Sequence, residues 1–204
     1  MTFYKVVVTI LRPIIHFLFS VKYEGLENVQ NLEGTILVSN HRSLMDPVFL
    51  IVKIKNKLRF MGKQELFKFP PLATIFRAMG VFPVARGKGD KSAIEKSVSI
   101  IKNNQVLGIY PEGTRSKTGE LLRFKSGVAV IASQTGADVV PACIDYDGKL
   151  KFRSKVVIRF GERIPSKDLF DGVIDLDNLR PSQVKVASTV IRERVAGLLE
   201  ASQN

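Results

Sequence analysis

The sequence predicts an α/β fold, a mostly parallel sheet flanked by helices, and three observations carry that reading. From residue 35 onward, short runs rich in Val and Ile alternate with stretches of helical periodicity. The polar clusters fall where those apolar runs end, which is where ligands bind in such sheets. A length of 204 residues, with 45% hydrophobic and 25% charged residues, suits one domain with its own core. Residues 1–21 stand apart as an amphipathic segment, and residues 22–204 form the domain body. No internal repeat or low-complexity tract interrupts it.

The first element lies in FYKVVVTILRPIIHFLFSV. Lys5, Arg12 and His16 break its apolar run, and a spanning helix needs about 20 mostly apolar residues. No small-residue cleavage site follows, so it does not read as a signal peptide. Lys5, Thr9, Arg12, His16 and Ser20 recur at helical spacing and make one narrow polar stripe on an otherwise apolar cylinder. That pattern predicts a helix lying in a membrane interface. The alternative is a helix docked on the domain's own core. Pro13 should kink or split it in either case, and His16 belongs to the surface stripe.

TILVSN, LRFMGK, GVFPVA, QVLGIY, DVVPACI and KVVIRFG read as strands. PVFLIVKIKN, ELFKFPPLATIFRAM, DKSAIEKSVSIIKNN and FKSGVAVIASQTG read as helices or partly helical links between them, with Asp90 as an N-cap and Gly136 as a C-terminal stop. In the last helix, SQVKVASTVIRERVAGLLEAS, residues Val184, Ala187, Val190, Ile191, Val195 and Leu198 share one face and should pack on the body. A second apolar and basic cluster holds Phe60, Phe67, Phe69, Phe76 and Phe82 beside Lys63, Lys68 and Arg77. Some of these rings must be core, whereas the KFPPL turn has the composition of a loop that dips into a membrane.

Thirty-one Lys+Arg against 19 Asp+Glu give a net charge of +12, a field that attracts anionic partners. The basic residues are spread along the chain with no basic arm, RNP-like aromatic pattern or zinc-finger spacing, which argues against nucleic acid. A single cysteine, Cys143, permits neither an internal disulfide nor a thiolate metal site, and suits a reduced, cytosolic setting. Its place in the run VVPACI predicts a buried structural thiol.

The strand TILVS runs directly into Asn40-His41-Arg42-Ser43-Leu44-Met45-Asp46-Pro47, so His41 emerges at a strand end, rigidly held and accessible. Two helix starts are open. Either Ser43 and Asp46 form a capping box, or Asp46 is the N-cap with Pro47 the first helical residue. Both return the Asp46 carboxylate toward His41, where it would fix the imidazole tautomer and support positive charge on the ring. Such a pair is a competent base for an alcohol, although alone it also fits a loop histidine beside a capping aspartate.

The second constellation is Tyr110-Pro111-Glu112-Gly113-Thr114-Arg115-Ser116, after the strand QVLGIY. Gly113 allows close backbone approach or a positive φ. Arg115 presents a planar fork suited to phosphate, and Thr114 and Ser116 add hydroxyl donors. Glu112 can hold Arg115 or a substrate hydroxyl. Arg86 at the end of GVFPVA and Lys125 at the opening of FKSGVAVIA would join Arg115 as three cations at loop positions, enough to neutralise a phosphate dianion. The bland alternative is a strand–turn with a surface ion pair.

NHRSLMD, GVFPVAR, YPEGTRS and VVPACI, in that order, resemble the four-block signature of the glycerolipid acyltransferases, best known for 1-acyl-sn-glycerol-3-phosphate (lysophosphatidate) acyltransferases. The resemblance covers roughly residues 35–165, and its first and third blocks are the specific ones. It implies that His41 and Asp46 are the catalytic pair. It also implies that Arg86, Glu112, Gly113 and Arg115 hold the glycerol phosphate, that Lys125 matches a basic position after the third block, and that Pro141 shapes the acyl side. Ala85 stands where an acidic residue is frequent, which leaves the headgroup open.

The activity so implied is acyl transfer from acyl-CoA or acyl carrier protein to the sn-2 hydroxyl of 1-acyl-glycerol-3-phosphate, giving phosphatidic acid. No metal or bound cofactor is expected, because a thioester is already activated. No acyl-enzyme is expected either, since no Ser or Cys sits in a G-x-S-x-G elbow. The expected setting is the cytoplasmic face of the cell membrane, monotopic or peripheral, on anionic lipids. The alternatives are another lysolipid or ornithine-type acceptor, or a catalytically silent membrane-binding scaffold.

Overall fold

A computed structural model describes residues 3–84, 91–170 and 179–201. In chain order the elements are α1 (Phe3–Leu18), β1 (Ser20–Glu24), β2 (Ile36–Ser39), α2 (Asp46–Ile51), β3 (Leu58–Lys63), α3 (Pro70–Ala78), β4 (Val81–Val84), α4 (Lys91–Lys102) and β5 (Val106–Ile109). There follow α5 (Gly127–Thr135), β6 (Val139–Asp145), β7 (Lys155–Phe160), α6 (Ser166–Leu169) and α7 (Pro181–Glu200). The strands form one sheet in the order β1-β7-β6-β2-β5-β3-β4. Every pairing is parallel except that of β6 with β7.

Continuous apolar runs become central strands because both faces of a parallel sheet are covered. Ile36, Leu37 and Val38 of β2 are at most 1% exposed. On one face, Ile15 and Phe19 pack with Phe49 and Leu50 of α2 against Phe60, Ile144 and Ile158. On the other, Ile131 of α5 and Ile191 and Val195 of α7 cover Ile36, Val38, Val139 and Cys143. The α7 face is the one that periodicity indicates: Ala187, Ile191 and Val195 are buried, with Val184, Val190 and Leu198 packed at its border. Gly136 ends α5 at φ +65°, a left-handed conformation that glycine adopts freely.

Four expectations change. The helix α1 runs unbroken across Pro13, because proline deletes a single backbone bond while both halves of the helix are pinned to the body. Tyr4, Val8 and Ile15 are buried, and Arg12 Nε donates to the Val52 carbonyl at 2.9 Å. The stretch 65–79 divides into a 3-10 turn, Gln64–Phe67, and α3, since Pro70 and Pro71 can begin a helix but not continue one. The helix expected over residues 47–56 ends after Ile51. The strand β1 has no counterpart in the sequence reading: SVKYE is a half-exposed edge strand, and Ser20 falls in register with the helical polar stripe before it. Asp90 lies outside the described residues.

The amphipathic helix splits its apolar surface in two. One face docks on the core, and the other shows Phe3, Val6, Ile10, Ile14 and Phe17 to solvent. Phe69, Leu72 and Ile75 are exposed around α3, which touches α1. Phe152 meets Phe17 with ring centroids 5.7 Å apart. No helix among the described residues is long and apolar enough to cross a membrane.

Candidate active site

The strand β2 ends at Ser39, and the chain turns through residues 40–45 before α2 begins. Asn40 locks the start of this turn to β6: its Nδ2 donates to the Ile144 carbonyl at 2.9 Å and its Oδ1 accepts the Ile144 N–H at 2.8 Å. His41 Nδ1 then lies 2.7 Å from Asp46 Oδ2. The same oxygen accepts the backbone N–H groups of Arg42 at 2.7 Å and Ser43 at 2.8 Å. The carboxylate thus folds back along the chain. Asp46 is not the N-cap, because α2 starts at Asp46 itself, but the carboxylate half of the expected capping box is formed, with Asp46 Oδ2 accepting the Ser43 N–H. Ser43 Oγ instead accepts the Met45 N–H at 3.1 Å.

Asp46 is fully buried, whereas 14% of the His41 side chain is exposed. With Nδ1 committed to the carboxylate, Nε2 is the nitrogen left to face a reactant, the geometry of a general base held in one tautomer. The imidazole stacks on Tyr110 with centroids 4.2 Å apart and planes 17° from parallel, and Tyr110 stacks in turn on Phe60 at 5.7 Å. Gly108 permits this column, since a Cβ there would collide with the Phe60 ring. Burial pushes the Tyr110 phenol well above its ordinary pKa, so it stays neutral. Neither its hydroxyl nor Asp46 Oδ1 has a hydrogen-bond partner among the described residues.

The YPEGTRS loop returns to the same turn. Glu112 is 4% exposed, and both its oxygens are occupied: Oε1 accepts the His41 N–H at 2.8 Å, and Oε2 accepts the Leu122 N–H at 3.2 Å. Burial raises its pKa, against the lowering effect of those two bonds. The Ser116 N–H donates to the His41 carbonyl at 2.7 Å, so the loop grips His41 from both sides of its peptide. Gly113 takes φ +69°, and a Cβ on it would lie 2.8 Å from Lys125 Nζ.

Beside His41 opens a cleft of about 700 Å³ lined by Ser43, Thr114, Arg115, Lys117 and Lys149, among others. Arg42 forms one wall. Its guanidinium lies 4.0 Å from the Tyr146 ring centroid and donates to Asp145 Oδ1 at 3.1 Å and the Tyr146 carbonyl at 2.7 Å. The structure therefore brings His41, Asp46, Glu112, Gly113, Thr114 and Arg115 to one place. Lys125 reaches Gly113 but lines a different groove, between α5 and α7. Pro141 is buried inside β6, its ring against Gly161 and its carbonyl accepting the Gly161 N–H at 2.8 Å, and it does not line the cleft. Arg86 and Ala85 lie outside the described residues.

Sequence reasoning passes over Tyr110, Arg42, Lys117 and Lys149. Tyr110 and Arg42 lie within the two quoted motifs, and their positions next to His41 and Glu112 were the available signal. Lys149 has none, because only the β6–β7 connection folding over the turn brings it near. Among the described residues, no three or more His, Cys, Asp or Glu side chains are assembled as for a metal.

Residues 20–145 match the family model described as Acyltransferase. A 1-acyl-sn-glycerol-3-phosphate acyltransferase of Bacillus subtilis is 27% identical over 194 residues, covering 89% of this chain and 96% of that protein. A chloroplastic protein of the same description from Arabidopsis thaliana is 30% identical over 135 residues, 65% of this chain, and the match takes in 38% of the plant protein's length. Among solved structures, the 1-acyl-sn-glycerophosphate acyltransferase of Thermotoga maritima superposes with a TM-score of 0.73 at 26% identity, over 96% of this chain and 79% of that one.

Proposed function

Because the chain belongs to the acyltransferase family, we propose that it transfers a fatty acyl group from a thioester to the free sn-2 hydroxyl of 1-acyl-glycerol-3-phosphate, giving phosphatidic acid. The observation that carries this reading is the His41 Nδ1–Asp46 Oδ2 contact of 2.7 Å, next in the chain to Arg42 and Ser43, which line a cationic cleft. Several relatives bear the corresponding name, among them those of Bacillus subtilis and Homo sapiens.

The reaction follows from the site. The acceptor's phosphate lies against Arg115, with Lys117 and Lys149 around it, in a cleft whose described lining has no carboxylate. Its hydroxyl donates to His41 Nε2, which takes the proton as the oxygen attacks the thioester carbonyl. The buried Asp46 supports the imidazolium, a contribution of about 10²- to 10⁴-fold for general-base help. The tetrahedral intermediate collapses with cleavage of the C–S bond, and the imidazolium returns its proton to the leaving thiolate. The thioester supplies the activation, so the chemistry requires no metal or prosthetic group. Thr114 and Ser116 orient the headgroup, and the acyl chains run toward the apolar rim.

That rim is the proposed membrane face. Leu44, 62% exposed three residues from His41, shares the apolar exposure of Phe17 at 68% and Phe69 at 60%, and the net charge of +12 favours an anionic leaflet. A hydrophobic exposure of this kind lets a lysolipid enter the cleft from the bilayer. The buried, paired Asp46 and the seven-stranded frame behind it favour an enzyme over a silent scaffold.

The deciding assay offers purified protein several lysolipids, among them lysophosphatidate and amine-headgroup lysolipids, against both acyl-CoA and acyl carrier protein thioesters. Phosphatidic acid formed from lysophosphatidate well ahead of the other products supports the reading. A product from another acceptor alone would move the assignment to that lipid.

A further inference from the structure

A groove of about 990 Å³ is not used by the reaction above. It lies between the start of α5 and the first turns of α7. Arg123, Lys125, Lys185 and Arg192 stand around an apolar floor that includes Phe124 and Val184, and no acidic side chain lines it among the described residues. Four cations lining one groove repel one another, an arrangement that a multiply charged anion relieves. The volume is that of a small-molecule site.

The groove is wired to the catalytic turn. Arg192 Nε donates to the Leu122 carbonyl at 3.2 Å and Nη2 to the Leu121 carbonyl at 3.1 Å. The Leu122 N–H donates to Glu112 Oε2, and Glu112 Oε1 accepts the His41 N–H. At the near end, Lys125 Nζ occupies the space that Gly113 leaves by lacking a side chain, and the Lys125 N–H donates to the Pro111 carbonyl at 2.9 Å. Lys125 therefore belongs both to this groove and to the loop that carries Arg115.

We infer that this groove binds the phosphorylated, nucleotide-bearing end of an acyl-CoA donor, with the pantetheine arm passing Lys125 and Gly113 toward His41. The assignment rests on the acyltransferase reading and names the donor that the reading leaves open. Charge selects coenzyme A: its diphosphate and ribose phosphate match a cluster of four cations, and its adenine suits an apolar floor. An acyl carrier protein would bring one phosphodiester into the groove and place its remaining charge on a protein surface outside it.

The test measures binding of free coenzyme A and of 3′-dephospho-coenzyme A to the full chain by calorimetry. It also measures KM for acyl-CoA and for lysophosphatidate in wild type, Arg123→Glu and Lys185→Glu, with the milder Arg123→Gln and Lys185→Gln as folding controls. Both positions are exposed, and unchanged circular dichroism and Tm confirm folding. The expected result is that coenzyme A binds more tightly than its dephospho form and that KM for acyl-CoA rises about tenfold in each Glu variant, while KM for lysophosphatidate moves less than about twofold. Unchanged donor KM, a rise in acceptor KM alone, or turnover with acyl carrier protein only would overturn the assignment. If no thioester supports turnover, the acyltransferase reading fails, and coenzyme A binding with its loss in the Glu variants still decides the groove by itself.

Discussion

The backbone N–H of His41 donates to Oε1 of Glu112 at 2.8 Å, so the glutamate holds the main chain of the histidine whose side chain pairs with Asp46. Oε2 takes the Leu122 N–H, so each carboxylate oxygen holds one backbone donor. Glu112→Gln replaces one acceptor by an NH₂ group facing an N–H donor. Stability should fall by about 1–3 kcal/mol, and kcat should fall more than KM rises, because His41 is displaced and the cation cleft is not. The titration has a definite sign. Burial raises the folded pKa above 4.5, so between 4.5 and the raised value the folded state holds more protons than the unfolded chain. The stability difference between wild type and Glu112→Gln therefore shrinks as pH rises through that window and is flat above it. Urea unfolding of both proteins from pH 4 to 8 checks this.

Tyr110 makes separable contributions through its ring and its hydroxyl. Tyr110→Phe keeps the stack on His41 and removes a buried hydroxyl without a partner, so stability should hold or rise and kcat should change little. Tyr110→Leu removes the stack, worth about 0.5–1.5 kcal/mol beyond burial, and loosens the imidazole. Steady-state kinetics and thermal melts of the two variants should diverge; equal losses in both would assign the role to the hydroxyl.

The two apolar faces of α1 should respond in opposite ways. Ile10→Glu, at a position 57% exposed, should weaken sedimentation with anionic vesicles while leaving Tm within about 2 °C. Ile15→Ala, at a position 1% exposed, should lower stability by about 2–5 kcal/mol. Vesicle binding unaffected by Ile10→Glu would remove this helix from the membrane face.

Cys143 is fully buried, and burial pushes its thiol up to about 11. It should resist disulfide-exchange reagents at neutral pH until the chain unfolds, and alkylating agents should leave turnover intact. Rapid labelling of native protein would show that β6 opens.

Six of the seven strands are readable from short apolar runs: β2, β5 and β6 are buried almost throughout and so apolar almost throughout, while β3 and β7 alternate buried with less buried positions. The edge strand β1 is not, since half-exposed SVKYE follows an amphipathic helix whose period it continues by chance. The spacing of His41 and Asp46 is legible as a pair, and the structure adds that the carboxylate folds back onto the N–H groups of Arg42 and Ser43 rather than serving as the N-cap of α2. The occupation of Glu112 by backbone donors is not legible, because a sequence motif names a carboxylate without its direction. The same holds for Lys125, adjacent to the phosphate motif in the sequence's logic and turned into the α5/α7 groove in space. Tyr110 is a plain strand-end aromatic until Gly108 and Phe60 show which way its ring must lie.

The central claim is that His41 takes the acceptor's proton. The most direct measurement is single-turnover acyl transfer to lysophosphatidate by purified His41→Ala, with folding verified by circular dichroism and Tm. The rate of the chemical step should fall by about 10²- to 10⁴-fold, with lysophosphatidate binding retained. A folded His41→Ala protein that transfers acyl groups at the wild-type rate would contradict it.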